Sequence, residues 1–125
     1  MRAVIITKAA PNPVGPYSQA IKANGFIFLS GQIPLDPATL QIVPGGIAEQ
    51  TERALRNVSA LLEATGSDVN KVVRCVVYLK SMADFGAMNQ VYAKFFGEHP
   101  PARTTVEAAH LPKDALIEIE ATAIE

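Results

Sequence analysis

Eight consecutive residues, Val72 to Leu79 (VVRCVVYL), include four valines and neither glycine nor proline. β-Branched side chains favour extended chain, and alternation puts Val73, Cys75, Val77 and Leu79 on one side and Val72, Arg74, Val76 and Tyr78 on the other. Both sides are too apolar for water alone. The segment is therefore expected as a central strand with at least partial cover on both faces.

The cover reads as two helices. From Ile47 to Ala64 the residues Ile47, Thr51, Ala54, Leu55, Val58, Leu61 and Leu62 recur at three- and four-residue steps, and Gly66 follows as a stop. A second helix is expected from about Ala83 to Phe96, with Phe85, Met88, Val91, Tyr92 and Phe95 as its stripe and Gly97 at its end. Val4 to Thr7 reads as a short strand, followed by a loop from Lys8 to Ser18 that holds three prolines. Ala20–Ala23 and Phe26–Ser30 flank Asn24-Gly25, a strong hairpin signal. Gly31 to Gly46 is expected to be irregular, with at most a short strand near Leu40 to Val43. After Pro100-Pro101, Arg103–Ala108 and Leu116–Ile124 read as strands separated by a turn at Leu111–Asp114. The order points to one α+β domain over residues 1–125, a sheet with two helices on one face.

Composition narrows the function. A 49% hydrophobic content with 18% charged residues places the chain among globular proteins and not among disordered ones. A net charge of −1, with scattered cations, offers no field for nucleic acid or an anionic membrane. No apolar run approaches the ~20 residues of a membrane helix, and the N-terminus lacks a signal-peptide pattern. Cys75 is the only cysteine, so it forms no internal disulfide. These features predict a cytoplasmic protein. His99 and His110 have no ligand-spaced companions, and no glycine-rich phosphate loop occurs, so neither a metal nor an organic cofactor is expected.

Two helices cover one side of a sheet only. In the last strand Ile117, Ile119, Ala121 and Ala123 alternate with Leu116, Glu118, Glu120, Thr122 and Ile124. The second side of the sheet thus mixes apolar residues with Arg74, Glu118 and Glu120, a composition that predicts oligomerisation around charges in need of partners.

Arg103 follows the rigid Pro100-Pro101-Ala102 segment, which suits a guanidinium aimed at a carboxylate ligand. A surface arginine, or one in an ion pair with an acid such as Glu118 or Glu120, is the plain alternative. Tyr17, in Gly15-Pro16-Tyr17-Ser18, reads as a packing lid or a site residue, and Ser30-Gly31-Gln32 as a simple strand end or a place where backbone meets a ligand.

Taken together, Ala10-Pro11, Gly15 through Ala20, Leu29 through Pro34, Pro101-Ala102-Arg103, and Leu111-Pro112 through Ile117–Ala121 resemble the RidA/YjgF family of reactive-intermediate deaminases. The resemblance implies a chorismate-mutase-like α+β subunit, a homotrimer, and sites in the clefts between subunits. It implies hydrolysis of 2-imino or enamine acids such as 2-iminobutanoate and 2-iminopropanoate, without metal or cofactor. By resemblance, Arg103 binds the substrate carboxylate and Glu118 activates water. Tyr17, Ser30, Gly31 and Asn89 line the pocket, and Glu120 is a neighbouring structural acid. Many members carry cysteine two residues after the arginine; here the residue is Thr105, whose hydroxyl can still donate a hydrogen bond to a bound acid. Two other readings stay open, a non-catalytic trimer that senses a small carboxylate and an endoribonuclease or translation inhibitor.

Overall fold

The computed structural model describes residues Met1–Glu125. Its strands are β1 (Arg2–Ile5), β2 (Ala20–Ala23), β3 (Phe26–Gln32), β4 (Val72–Leu79), β5 (Ala102–Glu107) and β6 (Ile117–Ile124), and its α-helices are α1 (Ile47–Ala64) and α2 (Phe85–Phe96). The six strands form one mixed sheet in the order β1-β2-β3-β6-β4-β5, antiparallel throughout except for the parallel pair β4 and β5. A parallel pair needs a crossover, and α2 with its flanking turns supplies it. The valine-rich run is thus an inner strand, as expected.

α1 keeps the bounds its periodicity predicts. Glu49 Oε1 accepts from the Gly46 N–H at 2.7 Å at its start, and Gly66, at φ 84°, lets the chain leave its end. Ala54, Leu55, Val58, Leu61 and Leu62 are wholly buried against Ile27, Cys75, Val77, Ile117 and Ile119 of the sheet. Each large side chain so buried contributes about 1.5–3 kcal/mol. Asn24 and Gly25 both adopt positive φ, 55° and 84°, which fits the turn to the twist of β2 and β3.

Three expectations need correction. β1 ends at Ile5 and not at Thr7, because the Gln19 side chain takes over both backbone groups of Thr7, at 2.8 and 3.0 Å, and draws the chain out of the sheet. The stretch near Leu40 is irregular as expected, with a single bridge, Leu35 with Ile42, and Leu40 at φ 60°. A register shift in β4 between Val72 and Arg74 turns Val72 inward and leaves Val73 outside, at 7% and 42% exposure, the reverse of plain alternation. In α2, Phe96 joins the core while Phe85 stays 37% exposed.

β3 carries a second irregularity. Leu29 pairs with Ala121 and Gln32 with Ile119, so Ser30 and Gly31 together oppose Glu120. The bulge brings Gly31 against the side chain of Glu118. No helix is long and apolar enough to cross a membrane.

Candidate functional site

Arg103 sits one residue into β5, just past the proline pair. Parallel pairing sets it beside Cys75, whose side chain faces the helices, so the guanidinium reaches toward α2. There Nη1 donates to Asn89 Oδ1 at 2.8 Å, and the guanidinium carbon lies over the rings of Tyr92 and Phe85. The three ion pairs of the chain join Lys22 to Glu125, Arg56 to Glu52 and Lys80 to Asp114. Arg103 therefore pairs with neither Glu118 nor Glu120 within one chain. A shallow depression opens here between Asn89, Gly97, Pro100, Pro101 and Arg103.

Thr105, two residues on, shares the side of Arg103. Its Oγ1 is buried and bonds to no protein atom. Behind them, burial pushes the Cys75 thiol up from its usual range, outweighing the Tyr92 hydroxyl and the Arg103 charge that pull it down. Burial likewise pushes the Tyr92 hydroxyl up. A thiol held protonated in this way is a poor nucleophile.

Glu118 belongs to the opposite side of the sheet. It alternates with buried Ile117 and Ile119 and is the cross-strand neighbour of Tyr78. The Tyr78 hydroxyl donates to Glu120 Oε1 at 2.5 Å, which gives Glu120 a structural partner. Glu118 has none. Burial, and then the charge of Glu120, push its carboxyl above the ordinary glutamate range, the direction that makes a carboxylate a better base. Its carboxyl lies directly over Gly31, where a Cβ would come within 2.9 Å of Cδ.

Gly31 and Tyr17 line one cavity of about 250 Å³, together with Val14, Ile33, Pro112 and Lys113. The Val14 N–H donates to the Tyr17 hydroxyl at 3.4 Å, a weak tie that leaves the ring 51% exposed. Gln19 anchors the proline-rich loop by donating to the Ala10 and Pro11 carbonyls. The Ser30 hydroxyl donates to the Ser18 carbonyl at 2.6 Å, so Ser30 is engaged in tying down that loop.

The expected site residues thus form two groups. Arg103, Asn89 and Thr105 gather at β5 and α2, whereas Glu118, Gly31, Tyr17 and Ser30 gather where β3 meets β6. The sheet separates the groups, and one chain does not bring Arg103 to Glu118. Phe85 and Tyr92 belong to the stripe expected as core, and their spacing with Asn89, at i, i+4 and i+7, is the sign in the sequence of a shared task. No three of the His, Cys, Asp and Glu side chains gather as metal ligands.

Residues 7–125 match the family described as Endoribonuclease L-PSP. A RutC family protein of Pyrococcus horikoshii is 58% identical over 98% of this chain and 98% of its own length. The mouse 2-iminobutanoate/2-iminopropanoate deaminase is 44% identical over 100% of this chain and 93% of its own. The crystal structure of E. coli TdcF with bound serine has a TM-score of 0.94 and 39% identity, covering 98% of each chain.

Proposed function

Given that this chain belongs to the RidA/YjgF/RutC family, we propose that it hydrolyses reactive 2-imino acids, among them 2-iminobutanoate and 2-iminopropanoate, to 2-keto acids and ammonia. The observation that carries this reading is a pair of opposite charges left without ionic partners, Arg103 on one side of the sheet and Glu118 on the other. Facing copies of the chain bring such groups together, as in a homotrimer with its sites between subunits. The mixed apolar and charged second side, where Phe26, Phe28 and Ile124 are exposed beside Glu118 and Glu120, supports that assembly.

In the proposed reaction the substrate carboxylate lies along the guanidinium of Arg103, with the Thr105 hydroxyl as a further donor. Water adds to the imine carbon and gives one proton to Glu118 of a neighbouring copy. The resulting carbinolamine has a C–O bond where the C=N π bond was. Glu118 returns the proton to the nitrogen, the C–N bond breaks with its electron pair leaving on ammonia, and the freed Glu118 carboxylate accepts the hydroxyl proton as the ketone C=O forms. Imines of this type already react with water, so orientation and one base suffice for a useful acceleration. A small acid as ligand also agrees with the serine bound to TdcF.

The test generates 2-iminobutanoate in situ with a dehydratase and follows its disappearance. Arg103→Ala and Glu118→Gln are each expected to abolish the acceleration while the fold persists. Normal turnover by Arg103→Ala would overturn the assignment. If wild type gives no acceleration but binds 2-oxobutanoate, the chain is a sensor. If it instead cleaves RNA, the endoribonuclease description applies, and binding should then weaken steeply with salt.

A further inference from the structure

Arg103 is held from one side by a single helix. Its guanidinium carbon is 4.7 Å from the ring centre of Tyr92 and 5.5 Å from that of Phe85, and Nη1 is bonded to Asn89. Phe85, Asn89 and Tyr92 stand on one stripe of α2, so a rigid element fixes all three contacts together. The exposure of Phe85, 37%, is more than a core role would leave, whereas Tyr92 is buried.

The choice of aromatic rings has a chemical consequence. A carboxylate partner would hold Arg103 by consuming its N–H donors and neutralising its charge. A ring attracts the cation through its π face and takes up no N–H group. With Nη1 committed to Asn89, the edge formed by Nε and Nη2 carries no protein partner, and that edge matches the two oxygens of a carboxylate laid side-on.

We propose that Phe85 and Tyr92 are positioning residues: they fix the guanidinium of Arg103 so that its Nε/Nη2 edge is presented, still charged, to the substrate carboxylate. This rests on the reading of Arg103 as the carboxylate-binding group. It predicts that the two rings set affinity for the acid and leave the hydrolytic step, carried by Glu118, largely alone.

The test measures binding of 2-oxobutanoate to the intact protein by calorimetry, beside turnover of 2-iminobutanoate, in Phe85→Leu, Tyr92→Leu, Tyr92→Phe and Arg103→Ala. Each Leu variant is expected to raise Kd, and KM with it, about three- to tenfold, the scale of one cation–π contact, with kcat little changed. Tyr92→Phe, which keeps the ring, should bind as wild type. Phe85→Leu, at a half-exposed position, guards against loss of fold in Tyr92→Leu. Wild-type Kd in a folded Phe85→Leu, together with lost binding in Arg103→Ala, would overturn the positioning role alone. Wild-type Kd in Arg103→Ala would overturn the carboxylate assignment and the positioning role together.

Discussion

Gly31→Ala isolates the position of one carboxyl group. Gly31 does not take a left-handed φ, so alanine is compatible with its backbone, and the glycine is there for space. An alanine Cβ would clash first with Glu118 Oε2, and would lie 2.9 Å from its Cδ and 3.1 Å from its Cγ. Carbon atoms in ordinary contact stand about 3.5–4.0 Å apart and the oxygen starts closer still, so the carboxyl must withdraw by on the order of 1 Å or more. The group that yields is the far end of a flexible, half-buried side chain. Thermal stability is therefore expected to change by about 2–4 °C at most. Catalysis is more sensitive, because a misplacement of about 1 Å costs on the order of a hundredfold in rate. The assay compares turnover of 2-iminobutanoate formed in situ with the thermal melt of the same sample. A hundredfold loss at an unchanged melting temperature is the expected result. Near-normal turnover in folded Gly31→Ala would refute the idea that Glu118 must lie over this glycine to act.

The pH dependence follows from the same carboxyl. Because its folded value is raised above 4.5, turnover that needs the ionised base should fall on the acid side at a pH higher than an ordinary glutamate would give, and Glu118→Gln should remove that limb with the activity. The folded state binds this proton more tightly than the unfolded chain, so the group's burden on stability grows as pH rises from 4.5 through the folded value and stays constant above it. Glu118→Gln should accordingly melt higher than wild type at pH 7, with the gain shrinking toward pH 4; an equal difference at both pH values would contradict this. Thr105→Val replaces a buried hydroxyl that has no protein partner by a methyl of similar shape, and is expected to stabilise by about 1 kcal/mol. If the hydroxyl serves the substrate, the same variant binds 2-oxobutanoate more weakly; a lower melting temperature would show that the hydroxyl is satisfied in the folded protein.

Much of the fold was legible because local rules and packing agree. The bounds of α1 follow from its apolar stripe, and the β2–β3 turn follows from Asn24-Gly25, since each signal is confined to a few neighbouring residues. The outward turn of Val73 is not legible, because a bulge is a property of two strands, and the pairing of Val72 with Ala123 and Arg74 with Thr122 is invisible in either segment alone. The candidate site was legible as a set of residues through the family's ordered motifs. Its division was not. That Arg103 faces α2 while Glu118 faces away depends on the parallel register of β5 with β4 and the antiparallel register of β6 with β4.

The central place of β6 bears on how the protein comes together. It is the last of the six strands in the chain, yet it lies between β3 and β4, pairing Phe26 with Ile124 on one edge and Leu79 with Ile117 on the other. Until it docks, the β1–β3 and β4–β5 portions each expose an unpaired edge. Contacts so distant along the chain close slowly, and the unjoined portions are prone to stray association meanwhile. Because β6 also carries Glu118, the step that knits the sheet is also the one that sets this carboxyl over Gly31.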